Sequence, residues 1–97
     1  MIIKQKRYFR WLKNNLEKFA NTHQAKIFLF GSSVKKDFFA DIDVGVIGNV
    51  SRKNIIQLKE QFEESTFPYQ VDIINFNHVK NSFKKNIFNN KILWIKH

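Results

Sequence analysis

The chain has 97 residues, enough for one domain with one modest core, and 43% hydrophobic residues with eleven phenylalanines to fill it. It has no cysteine, which excludes disulfides and thiolate metal sites, and no apolar run long enough for a bilayer. The net charge of +9 is spread from Lys4 to Lys96 without a block of five or six, so it reads first as a solubilising surface and second as a nucleic-acid stripe.

The start, "MIIKQKRYFR", has early charge but no apolar signal core or cleavage site, so a cytoplasmic protein is expected. Tyr8, Trp11, Leu12, Leu16 and Phe19 recur at helical spacing and predict an amphipathic helix over roughly 3–21. Residues 25–30 read as a short buried strand ended by Gly31, with a helical turn opening at Ser32. A second strand is expected over 41–47 and a turn at Gly48-Asn49. Ser51 can cap a helix with Ile55, Leu58 and Phe62 on one face, which Pro68 bars from continuing. Residues 70–75 read as a third strand. Asn77 can cap a last helix carrying Val79, Phe83 and Ile87, and "KILWIKH" reads as a final short strand or an extended tail. Helices alternating with strands predict one domain over 1–97, of α+β class with α/β-type alternation: a small mixed sheet with helices packed on one face.

The chemistry lies in the second and third strands. Successive strand side chains point to opposite faces, so Asp41 and Asp43 share one face while Ile42 and Val44 share the other. Two like charges roughly 6–7 Å apart, at twice the strand rise, repel unless a cation sits beside them. Hard divalent ions such as Mg²⁺ take oxygen ligands and share carboxylates with substrate phosphates. In "YQVDIINF", Asp72 between Val71 and Ile73 repeats the pattern. If the two strands are neighbours, three carboxylates suit a pair of ions about 3.5–4 Å apart, as used in in-line phosphoryl displacement. Gly31 lets a phosphate approach the backbone, Ser32 adds a hydroxyl, and Ser33, Lys35 and Lys36 follow with a further donor and positive charge. Each feature alone has a plainer reading. Gly-Ser is usually a turn, and Asp-x-Asp can be a solvated turn or a calcium site. Asp37 reads as a loop residue, and His23, His78 and His97 show no ligand spacing. Trp11 and the helical phenylalanines read as core. Phe38 and Phe39 read as core too, with closure over a base as the alternative.

Gly31-Ser32, a loop, Asp41-x-Asp43, and Asp72 on a later strand resemble the nucleotidyltransferase superfamily of DNA polymerase beta. In size and layout the chain is similar to the minimal nucleotidyltransferases (MNT), the antitoxins of HEPN/MNT toxin–antitoxin pairs, through "IFLFGSS", "ADIDVGVIG", "YQVDIINF" and "KNSFKKNIFNNKILW". The resemblance implies transfer of AMP from ATP to a hydroxyl, with Asp41, Asp43 and Asp72 as catalytic and metal-binding residues for two Mg²⁺ ions. It implies Gly31, Ser32, Ser33 and Lys35 as nucleotide-binding residues. It also implies a HEPN toxin ribonuclease as partner, with a toxin tyrosine as acceptor. Two departures stand beside it. "SVKKDFFA" carries neither the arginine nor the second glycine that often follows Gly-Ser in that family, and the loop is short. They leave open a non-catalytic antitoxin that acts by occlusion, and the +9 charge leaves open transfer onto RNA ends.

Overall fold

The computed structural model describes residues 6–35 and 41–97. Helix α1, Lys6–His23, buries Leu12, Leu16 and Ala20, one step apart per turn, against the sheet. It ends where Gln24 takes a left-handed φ of 53° and the Ala25 N–H donates back to the Ala20 carbonyl at 2.9 Å. Strand β1, Lys26–Phe30, runs into the short helix α2, Ser32–Lys35, through Gly31. Strand β2 covers Asp41–Ile47 and pairs with β1 antiparallel. Helix α3, Arg52–Glu63, opens on a capping box: the Ser51 hydroxyl accepts from the Asn54 N–H at 3.1 Å, and the Asn54 side chain accepts from the Ser51 N–H at 3.1 Å. It carries the chain over to β3, Gln70–Asn75, which lies parallel to β2, as a parallel pair needs a crossover. A 3₁₀ turn, Phe76–His78, and helix α4, Asn81–Phe88, lead to β4, Leu93–Lys96, which pairs with β1. The sheet order is β3-β2-β1-β4.

Alternation along β1 divides the interior in two. Ile27 and Leu29 join Ile42, Val44, Val46 and Ile73 on the face covered by α1 and α3. Phe28 and Phe30 point the other way, into a second cluster with Phe76, Ile74, Ile87 and Trp94. The α+β class and the mixed sheet are as the sequence led one to expect, and the two long helices share one face. The short α4 corrects the placement of all helices there: it lies on the other face, with Phe88 5.1 Å and Phe76 4.9 Å from the Phe28 ring. The reason is that β1 is apolar on both sides, so each side needs cover. A second correction concerns Asn77. It does not cap α4, whose N-cap is Lys80 with no side-chain bond. Instead the Asn77 amide is bonded to both the N–H and the carbonyl of Gly48, tying the turn after β2 to the end of β3. Among the described residues no helix is long and apolar enough to cross a membrane.

Candidate active site on the carboxylate face

Residues facing each other across paired strands share a face. In the β2–β3 register Asp43 stands opposite Asp72, Asp41 opposite Gln70, and Gly45 opposite Ile74. In the β1–β2 register Phe30 stands opposite Asp43. All three aspartates therefore lie on the face that also carries Phe28 and Phe30, clustered where the parallel strands β2 and β3 begin. Further along, the aromatic cluster takes over: the Phe28 ring lies over Gly45, in the space a side chain there would need. The face is thus divided between a polar end that opens to solvent and a sealed apolar end.

Asp41, Asp43 and Asp72 are each half-buried. Asp43 sits at the centre of the group, with Gly31 on its β1 side and Asp72 on its β3 side. Burial, then the Asp72 carboxylate, then that of Asp41 hold the Asp43 carboxyl above its ordinary value. Gly31 has φ of 80°, in the left-handed region, and a Cβ there would collide with the Asp43 Oδ2 atom. Glycine is thus required twice over, for its backbone angle and for the space the carboxylate occupies. Among the described residues no three His, Cys, Asp or Glu side chains are drawn in around one point as metal ligands. The aspartates share a face and a field, in which the Asp72 and Asp41 carboxylates repel that of Asp43.

Ser32 is half-buried and opens α2, where N–H groups have no intrahelical acceptor. Ser33 is fully buried, and its hydroxyl has no hydrogen-bond partner among the described residues. Lys35 closes α2, and its side chain lies outside the described residues, as do Lys36, Asp37, Phe38 and Phe39. One polar neighbour escaped the sequence reading. The Gln70 amide reaches the Asp72 Oδ1 atom at 3.4 Å, a long hydrogen bond from the residue that faces Asp41. The signal was available: Gln70 precedes Asp72 by two and so shares its face.

The family model described as "Polymerase beta, Nucleotidyltransferase" matches residues 13–97. Among solved structures, the chain is similar to a tri-AMPylated Shewanella oneidensis HEPN toxin in complex with MNT antitoxin. The TM-score is 0.64 at 16% identity, over 89% of this chain and 70% of that one. A toxin–antitoxin crystal structure with AMP-PNP matches with a TM-score of 0.66 at 17% identity, over 86% and 71%. A nucleotidyltransferase-like protein from Sulfolobus solfataricus matches with a TM-score of 0.54 at 17% identity, over 91% and 78%. At these identities the likeness is one of fold. No curated protein matches the sequence.

Proposed function

Because the chain belongs to the polymerase beta nucleotidyltransferase family, we propose that it is an antitoxin that transfers AMP from ATP to a hydroxyl, a tyrosine's, on a partner HEPN toxin ribonuclease. The observation that carries this reading is the parallel register that sets Asp72 beside Asp43, with Asp41 on the same face and Gly31 against the Asp43 carboxylate. The similar structures supply the partner and the donor by analogy: one holds an AMPylated HEPN toxin with an MNT antitoxin, the other a toxin–antitoxin pair with AMP-PNP.

The donor set fits Mg²⁺. It consists of carboxylate oxygens on one half-buried face, where burial, and then the neighbouring Asp72 and Asp41 carboxylates, already raise the Asp43 carboxyl. Asp41 and Asp43 would hold both ions, and Asp72 one of them. When bound, Mg²⁺ supplies charge neutralisation for the attacking and leaving oxygens. The chain's own residues do the rest. Gly31 and Ser32 hold the β- and γ-phosphates, Gly31 by letting them approach the backbone and Ser32 through its N–H and hydroxyl. Ser33 contributes its N–H rather than its buried hydroxyl, and Lys35 contributes charge. Asp72 takes the proton of the acceptor hydroxyl as that oxygen attacks the α-phosphorus, and pyrophosphate departs in line on the opposite side. Positioning and charge stabilisation account for the rate.

The second reading, neutralisation by occlusion without chemistry, draws on "SVKKDFFA". Lysine there supplies charge but not the bidentate fork of an arginine. One experiment separates the two: incubation of the chain and its HEPN protein with labelled ATP and Mg²⁺, followed by intact mass of the HEPN protein. A gain of one or more AMP groups, lost in Asp41→Asn/Asp43→Asn, supports transfer. Full neutralisation by that double variant, with no mass gain from either form, supports occlusion.

A further inference from the structure

We propose that the cleft between α3 and the outer edge of β3 receives the acceptor, as an extended segment of the partner polypeptide that lies along β3 and presents its hydroxyl to Asp72. This rests on the adenylyl-transfer reading above.

Three observations lead there. The first is directional. In-line displacement places nucleophile and leaving group on opposite sides of the α-phosphorus. Gly31 flanks Asp43 on the β1 side, where Phe30 pairs with Asp43, and Asp72 flanks it on the β3 side. Phosphates held at Gly31 and Ser32 direct pyrophosphate toward β1, so the attacking hydroxyl comes from β3. Approach along the sheet face from the far end of β2 is closed by Phe28 and Phe76, which are sealed against one another.

The second is the shape of that side. β3 is the last strand in the order β3-β2-β1-β4, with no strand beyond it among the described residues. A cleft of about 460 Å³ lies against its first three residues, walled by Lys59, Phe62 and Glu63 of α3 and by Tyr69, Gln70 and Asp72. It turns round the strand edge, since Tyr69 belongs to the α3 face and Asp72 to the carboxylate face. An edge strand offers unpaired N–H and C=O groups to an added strand, and alternate side chains of that strand then point to the two faces. The acceptor side chain would be one that turns toward Asp72.

The third is charge. The cleft sets Lys59 against Glu63 and Asp72 and carries aromatic rings between them. With Asp72 given to a metal ion, the rest of the wall sets one cation against one carboxylate and offers a nucleic-acid backbone no excess positive charge, whereas a polypeptide brings peptide groups and rings that match it.

The chain has no cysteine, so Lys59→Cys creates a unique thiol on the exposed wall of the cleft, and Lys18→Cys creates one on exposed α1. Each variant is assayed for AMP transfer to the HEPN protein before and after attachment of a bulky maleimide. Labelling at 59 should raise KM for the HEPN protein about tenfold and leave KM for ATP unchanged, while labelling at 18 changes neither. Amide exchange across 69–73 of the wild-type chain should slow when the HEPN protein is added. If labelled Lys59→Cys keeps its acceptor KM, or exchange across 69–73 is unaltered by the HEPN protein, the cleft assignment falls while the transfer reading stands. If the wild-type chain transfers no AMP, both fall.

Discussion

Gly31 and Asp43 share one small volume, and the site can be tested there. Gly31→Ala meets a left-handed φ of 80° and the Asp43 carboxylate at once. The backbone angle alone should cost ~1 kcal/mol of stability. The displaced carboxylate should cost AMP transfer about tenfold or more. Thermal melts and transfer assays on the same preparation separate the two effects. Asp43 also predicts a pH dependence in metal-free buffer. Its carboxyl is raised in the folded chain, so the folded state binds more protons than the unfolded one between the ordinary carboxylate value and the raised one. Its stabilising contribution is therefore greatest below that window and is lost as pH rises through it. Asp43→Asn should melt higher than wild type at neutral pH without metal, and the difference should shrink in mild acid. A wild-type melt that gains on Asp43→Asn as pH rises would contradict the sign. The pairing of Gly31 with Asp43 was not legible in the sequence: eleven residues lie between them, and only the antiparallel register of β1 and β2 brings them together.

At the scale of elements, the alternation in "DIDVGVI" and "QVDIIN" was legible because each strand has one apolar set buried under α1 and α3. That burial fixes the register, and the register fixes where the aspartates point. The second aromatic cluster was harder to read. "KIFLF" is apolar at every position but its first, so periodicity showed a buried strand without showing that Phe28 and Phe30 need a cover of their own. Asn77 misled for a related reason: its preference for helix starts was outweighed by two bonds to Gly48, on the far side of α3 and β3 in the chain. Gly45 is the element-scale test. The Phe28 ring occupies the space beside it, so Gly45→Ala must push β2 away from the hub of the second cluster. A loss of about 1–3 kcal/mol by urea denaturation is expected. A change near zero would show that the ring does not pin β2 there.

The whole molecule carries +9 on 97 residues. The Lys13–Glu17 pair, 3.9 Å apart on one exposed helix turn, offsets little of the resulting self-repulsion. Raising NaCl from about 20 mM to about 300 mM shortens the Debye length well below the size of the domain, so the melting temperature should rise. The same field favours an anionic nucleotide, and under the proposed function a divalent cation would accompany it at the three carboxylates. The most direct test is electron paramagnetic resonance of Mn²⁺ titrated into the chain with AMP-PNP present. Tight, nucleotide-dependent Mn²⁺ binding is expected, weakened separately by Asp41→Asn, Asp43→Asn and Asp72→Asn in chains that remain folded. Binding that is absent in wild type, or unchanged in all three variants, would contradict it.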